Sequence, residues 1–75
     1  MGHLPVVSGK ELVRALSKLG YAVDHQTGSH IILRNEHAPH RRLTVPNHRT
    51  VAKGTLRQIM RDAGISIEDL ANLLQ

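Results

Sequence analysis

The sequence has 75 residues and a net charge of +4, with no cysteine and with Tyr21 as its only Phe, Trp or Tyr residue. This composition excludes a disulfide framework, a thiolate metal site and an aromatic platform for stacking bases, and no apolar run approaches the ~20 residues of a membrane span. We therefore expect one small cytoplasmic domain over residues 1–75 with an aliphatic core; Gly2 and His3 resemble a cloning remnant and are given no role.

The first predicted helix begins at a capping box. In Ser8-Gly9-Lys10-Glu11, the side chains of Ser8 and Glu11 can each accept a hydrogen bond from a free backbone N–H at the helix start. Apolar residues then recur at helical spacing, at positions 12, 13, 16 and 19. Gly20 suits a left-handed C-terminal cap, so we expect the helix to end at Leu19.

Three predicted strands follow, at residues 21–24, 29–34 and 41–45. Residues 26–28 (Gln-Thr-Gly) are typical of a hairpin turn. A loop containing Pro39 separates the second and third strands, and Pro46 stops the third. Short connections between successive strands predict an antiparallel meander.

The chain returns to helical periodicity near Lys53. Apolar residues at positions 56, 59, 60 and 63 form the stripe of a second long helix, which Gly64 ends. Ser66 and Asp69 form another capping box for a short last helix through residues 70–74. The predicted fold is α+β, with the order α-β-β-β-α and a short C-terminal helix. Because both long helices must bury their stripes on the one available sheet, we expect them on one face.

Alternation along the second and third strands assigns their side chains to two faces. The face expected under the helices carries four aliphatic residues, Ile31, Leu33, Leu43 and Val45. The open face then carries His30, Arg34 and Arg42. It also carries Ile32, an apolar residue that either stays partly exposed or is covered by a partner protein.

Basic residues are concentrated in the middle of the chain. Seven of the ten Lys and Arg residues lie between Arg34 and Arg61, where Glu36 is the only acid, and three acids and no base follow Arg61. This distribution favours a surface that faces a polyanion such as nucleic acid. An ordinary solvated charged face explains the same distribution equally well.

His30 has the residue type and the neighbours for acid–base chemistry on a phosphodiester. Cleaving RNA without a metal needs a group that moves a proton near neutral pH, and the unperturbed pKa of histidine, about 6.5, suits this task. Arg34 and Arg42 on the same face could offset charge that develops on the phosphoryl group. A histidine beside a strand is more often a plain structural residue, so its position alone leaves both interpretations open.

Two other binding sites are conceivable. A metal site would begin from His37 and His40, but structural zinc takes four ligands, usually with thiolates, so we predict no metal. The start of the second long helix could bind a phosphate through free N–H groups near Thr55, helped by Lys53. Alternatively, Gly54 only lets the chain turn into that helix.

Several short motifs occur in a fixed order between about Leu4 and Leu70. They are PVVSGKE at residues 5–11, LGY at 19–21, GSH at 28–30, PNH at 46–48, KGTLRQI at 53–59 and AGIS at 63–66. In this order and spacing, the chain resembles the HicA (YcfA-like) family, the mRNA interferase toxins of toxin–antitoxin systems. Leu70 departs from the family's pattern, where an aromatic residue is expected, and the departure concerns packing.

The resemblance implies a double-stranded-RNA-binding-domain-like fold, in agreement with the predicted α-β-β-β-α order. It implies a metal-independent and cofactor-free endoribonuclease that cleaves mRNA and inhibits translation, with His30 of the GSH motif as the single catalytic histidine. It also implies neutralisation by a HicB-type antitoxin, and any sequence-specific DNA binding is expected only through that complex.

Six further residues are predicted to contact RNA: Ser29, Arg34, Arg42, His48, Lys53 and Thr55. For His48 three roles stay open, namely positioning substrate, taking part in the chemistry, and ending the third strand. Phosphate contacts carry no base information, so we expect broad cleavage. Two alternatives remain: a binding-only RNA module of the same fold, and a chain that acts mainly as half of a protein complex, with Ile32 and the acidic tail at the interface.

Overall fold

The computed structural model describes residues 3–75, so Met1 and Gly2 lie outside it, and of the suspected cloning remnant only His3 is described. The elements in chain order are α1 (Gly9–Ser17), β1 (Tyr21–Thr27), β2 (His30–Asn35), β3 (Arg42–Pro46), α2 (Lys53–Ala63) and α3 (Ile67–Leu73). This is an α+β fold with the order α-β-β-β-α and a short C-terminal helix, as in a double-stranded-RNA-binding domain. The predicted fold class is confirmed.

Helix α1 begins as predicted and ends two residues early. The Ser8 hydroxyl accepts from the Glu11 N–H at 3.1 Å, and the Glu11 carboxylate accepts from the Ser8 N–H at 2.9 Å, which completes the capping box. The N–H groups of residues 18–20 then bond to carbonyls three residues back, in a tighter turn than an α-helix. The predicted end at Leu19 is wrong because these bonds satisfy the last carbonyls in a non-α geometry.

The strands form one antiparallel sheet in the predicted order, β1-β2-β3, but β1 is longer than expected. Thr27 ends β1 and pairs with His30, so the hairpin turn is Gly28-Ser29, with φ of 57° at Gly28. The predicted turn at residues 26–28 is wrong because backbone pairing with β2 continues through polar residues. Their side chains stay exposed on this edge strand, so the polar residues do not disturb the backbone hydrogen bonds to β2.

Strands β2 and β3 each lie one residue later than predicted. Pro46 is the last residue of β3 and pairs with His30. Because the ladder ends there, the missing N–H of Pro46 removes no hydrogen bond from the middle of the sheet. Pro46 therefore does end the strand, as its last residue rather than as the residue after it.

The helices cover one face of the sheet. The four residues predicted to lie beneath them, Ile31, Leu33, Leu43 and Val45, are at most 7% exposed. They belong to a core that includes the fully buried helix leucines Leu12, Leu16, Leu56 and Leu70. Full burial of each such side chain contributes about 1.5–3 kcal/mol. The opposite face of the sheet remains open.

Helices α2 and α3 follow the prediction. Gly64 caps α2 in the left-handed region with φ of 72°, and Ser66 and Asp69 form the second capping box. Leu70 is fully buried, in keeping with a packing role at the position where the family pattern differs. Within residues 3–75, no helix has the length and apolar character that a membrane span requires.

Candidate active site

His30 opens the central strand of the sheet and faces solvent. It directly follows the tight Gly28-Ser29 turn, so the turn determines where the imidazole is presented. Its partners in the ladder are Thr27 on β1 and Pro46 on β3. It lies on the face opposite the buried Ile31, as alternation along the strand predicted, and it is exposed.

A groove runs from His30 to the start of α2, at the end of the sheet where His30 pairs with Pro46. Its lining residues, which define the His30 groove, are His30, Thr44, Pro46, His48, Ala52 and Thr55. Three residues that the sequence analysis proposed separately as site residues therefore line one groove, namely His30, His48 and Thr55. They come from three segments: a strand, a loop and a helix.

Backbone hydrogen bonds hold the loop that carries His48. The Asn47 N–H donates to the Ser29 carbonyl at 2.6 Å, and the Gly9 N–H donates to the His48 carbonyl at 2.9 Å. Helix α1 comes so close to this loop that a Cβ atom at Gly9 would collide with the Pro46 carbonyl oxygen. The backbone position of His48 is thus set by α1 and by the turn before β2.

The start of α2 leaves backbone donors free beside the groove. Its N-cap is Ala52, which offers no side-chain hydrogen bond, whereas α1 and α3 both begin with capping boxes. The first intrahelical bond runs from the Leu56 N–H to the Ala52 carbonyl. Uncapped N–H groups and the positive end of the helix dipole favour an anion at this place.

A model of the family described as the HicA toxin of bacterial toxin–antitoxin matches residues 9–65. The chain belongs to the HicA toxin family. The matched segment contains every residue of the His30 groove, and the resemblance inferred from the sequence motifs is confirmed. A search of curated proteins found no match.

In this HicA-family toxin, Arg34 and Arg42 share the open face with His30 but lie apart from it. The two arginines pair directly with each other across β2 and β3. Arg34 is four residues beyond His30, which corresponds to about 13 Å along a strand. Neither arginine lines the His30 groove.

Asp24 and His25 form a hydrogen-bonded pair on the open face, and the sequence analysis did not predict this pair. A β-bulge between Val23 and His25 breaks the alternation of β1, and the two side chains meet with 2.7 Å between Asp24 Oδ2 and His25 Nδ1. The hydrogen bond to His25 lowers the pKa of Asp24, and the nearby charges of Arg42 and Arg34 lower it further. Adjacent strand residues normally point to opposite faces, and no local motif marks the bulge.

A second groove adjoins the first at His48. Its lining residues are Ser8, Lys10, Asn47, His48 and Arg49. Lys10 and Arg49 bring two exposed cations beside His48, and the sequence assigned a role to neither. The count of basic residues was the only signal, and it does not place a residue of α1 beside the loop after β3.

The other predicted RNA contacts, Ser29 and Lys53, flank the His30 groove without lining it. Ser29 lies in the turn before β2, and its carbonyl is bonded to Asn47. Lys53 is the exposed first residue of α2.

His37 and His40 lie in the β2–β3 loop. Within residues 3–75, no group of three or more His, Cys, Asp or Glu side chains is placed to hold a metal ion, which leaves His37 and His40 without further ligands. Ile32, the apolar residue expected on the open face, is half-buried there and pairs with His25 and Thr44.

Proposed function

We propose that this toxin is a metal-independent endoribonuclease that cleaves mRNA and thereby inhibits translation, with His30 as the catalytic histidine. The observation that carries the proposal is the His30 groove, in which an exposed imidazole faces an uncapped helix start in a chain of the HicA toxin family. Arg34 and Arg42 lie on the same open face. A polyanionic strand would therefore meet cations and a proton-transfer group on one surface.

The proposed reaction is attack of an RNA 2′-hydroxyl on the adjacent phosphorus. His30 exchanges a proton with the reacting oxygens, a role for which imidazole is suited near neutral pH. The free N–H groups at the start of α2 and the hydroxyl of Thr55 stabilise the charge on the phosphoryl oxygens. No step is assigned to a metal or a cofactor.

Substrate binding is proposed to rely on phosphates rather than bases. Ser29, Arg34, Arg42, His48 and Lys53 supply donors and cations around the groove. Tyr21 is the single aromatic side chain apart from histidines, and it is 6% exposed in the core, so it offers no surface for base stacking. Contacts to phosphate carry no base information, and we expect cleavage at many sequences.

The partner is proposed to be a HicB-type antitoxin in the same cytoplasm. Because the open face is basic, the antitoxin should present acidic residues to it or occlude His30. Half-buried Ile32 gives this face an apolar point of contact. Any sequence-specific DNA binding is proposed to come through the antitoxin in the complex.

The test is cleavage of a labelled mRNA in EDTA by the wild-type protein and by the His30→Ala variant. Loss of an acid–base group typically slows a reaction by about 10²–10⁴-fold, which is the decrease expected for His30→Ala. The matched control is His40→Ala, since His40 is also exposed but lies in the β2–β3 loop at the other end of β2. His40→Ala should cleave at the wild-type rate.

A binding-only RNA module is the second candidate, because an uncapped helix start can bind phosphate without any proton transfer. Wild-type protein that binds the mRNA and leaves it intact would establish this second function. Equal cleavage by His30→Ala and wild type would remove His30 from the chemistry. Activity that appears only with added divalent metal would overturn the metal-independent mechanism.

A further inference from the structure

We propose that His48 is the second proton-transfer group of the reaction, so that His30 and His48 act together as base and acid. This inference rests on the proposed ribonuclease function and extends it from one catalytic histidine to two. His48 is exposed in the loop after β3 and lines the same groove as His30.

RNA cleavage by its own 2′-hydroxyl requires two proton transfers. One group takes the proton of the 2′-hydroxyl as its oxygen bonds to phosphorus. The other gives a proton to the 5′-oxygen as the P–O5′ bond breaks. The products are a 2′,3′-cyclic phosphate and a 5′-hydroxyl, and no electrons are gained or lost. With no metal assigned to the reaction, a single imidazole leaves one of these transfers to water.

The backbone brings the two histidines to one groove. The residues that precede them, Ser29 and Asn47, are joined by the 2.6 Å hydrogen bond from the Asn47 N–H to the Ser29 carbonyl. His30 also pairs with Pro46 in the ladder, and His48 is two residues beyond Pro46. Paired strand residues are about 5.5 Å apart and consecutive Cα atoms 3.8 Å, so the Cα atoms of His30 and His48 lie within about 13 Å. Two imidazoles on such a span can both reach one phosphodiester between them.

The groove is built so that His48 keeps this place. The bond from the Gly9 N–H to the His48 carbonyl ties the loop to α1, and it involves no side chain of His48. Lys10 and Arg49 lie beside His48 in the adjoining groove. A strand that passes His48 therefore has two cations for its next phosphate.

The other described histidines are less suited to this role. The His25 imidazole is bonded to Asp24, and the His40 imidazole is bonded to the Asn35 carbonyl. His37 and His40 lie in the loop after β2, at the end of the strand away from His30. Among residues 3–75, His48 is the one further histidine that lines the His30 groove.

The test uses a leaving group that needs no acid. The wild-type cleavage site is first mapped on an mRNA. Two oligoribonucleotides with that site are then made, one natural and one with sulfur in place of the bridging 5′-oxygen. Reactions with wild type, His30→Ala, His48→Ala and His40→Ala are run at saturating substrate in EDTA. A third oligonucleotide with 2′-deoxyribose at the site cannot be cleaved and measures RNA affinity.

On the natural substrate, His30→Ala and His48→Ala should each cleave about 10²–10⁴-fold more slowly than wild type. On the sulfur substrate, only one of these two variants should recover, to within about tenfold of wild type, because a thiolate leaves without protonation. The recovering variant identifies the acid and the other the base. Affinity for the deoxy oligonucleotide should change less than tenfold in His48→Ala, and His40→Ala should match wild type throughout.

Each alternative outcome is decisive. Cleavage of the natural substrate by His48→Ala at the wild-type rate would overturn the inference and leave the proposed function intact. Recovery of neither variant, or of both, would also overturn it. The inference requires one acid and one base, and only the variant that lacks the acid can be rescued by a leaving group that needs no proton. If wild type cleaves neither substrate, the proposed function fails and this inference fails with it.

Discussion

Gly9 is a buried residue at the start of α1, and its N–H donates to the His48 carbonyl. The Pro46 carbonyl oxygen occupies the space that a Cβ atom would need. The absence of a side chain therefore lets α1 approach the loop after β3 closely enough to hold it. At the residue scale, the geometry of the site depends on a glycine that contributes no functional group.

The Gly9→Ala variant should be less stable than wild type by about 1–3 kcal/mol, the usual cost of overpacking. Gly54→Ala is the matched control, because Gly54 also lies in the first turn of a helix but has no atom within 4 Å of an added Cβ. Alanine gains up to about 1 kcal/mol in helix propensity at either site, so the difference between variants reports the collision. Urea unfolding measures both free energies, and equal values would contradict the close approach.

At the scale of elements, the three helices differ in how they begin. The side chains of Ser8 and Ser66 cap α1 and α3, while Ala52 leaves the start of α2 uncapped. A cap is worth about 1 kcal/mol, so α2 is left less stable than it could be. The uncapped end is also the one that lines the His30 groove. The free donors are thus available to an anion in this groove.

The Ala52→Ser variant should separate stability from activity. A serine cap should raise the free energy of unfolding by about 1 kcal/mol, because its hydroxyl satisfies an N–H at the start of α2. The same hydroxyl competes with substrate phosphate, so RNA cleavage should slow. The measurements are urea unfolding and the rate of mRNA cleavage.

The control for this variant is Ser66→Ala, which removes the cap of α3. It should lower stability by about 1 kcal/mol and leave the cleavage rate unchanged, because α3 does not line the groove. A stabilised Ala52→Ser protein that cleaves at the wild-type rate would show that the α2 donors do not serve the substrate.

At the scale of the whole molecule, the acidic end of the chain lies apart from the two arginines of the open face. Arg34 and Arg42 pair on the open face, whereas the acids Glu68 and Asp69 lie on α3. Helix α3 packs with α1, where the Lys18 ammonium donates to the Leu73 carbonyl at 2.8 Å and to the Gln75 carbonyl at 2.7 Å. The acidic end of the chain is therefore held among the helices, away from the basic face.

RNA affinity should depend on salt through the open-face arginines. For single-stranded RNA, each phosphate contact contributes about 0.7 to the slope of log affinity against log salt, so Arg34→Ala with Arg42→Ala should reduce the slope by about 1.4. Affinity is measured in a His30→Ala background to prevent cleavage. Replacing Arg14 and Arg61, which lie on helices, is the matched control and should leave the slope unchanged. A smaller slope in the control double variant alone would place the RNA on the helical side.

Local patterns predicted most of the elements and failed where pairing between segments decided the outcome. Ser8, Ser66 and Gly64 marked helix ends correctly because capping depends on residues within a few positions of each other. The end of β1 was misplaced because its polar residues are held by the ladder with β2. The bulge that joins Asp24 to His25 was missed for the same reason.

The sequence by itself determined the element order, the two faces of the sheet, the family and the choice of His30 as the first candidate. Periodicity and short motifs carry that information, since each depends on residues close together in the chain. Only the tertiary structure decided that His48 and Thr55 share a groove with His30 and that Arg34 lies apart from it. The physical reason is that backbone hydrogen bonds to α1 and to the turn before β2 place the loop after β3, and those partners are far from it in the sequence.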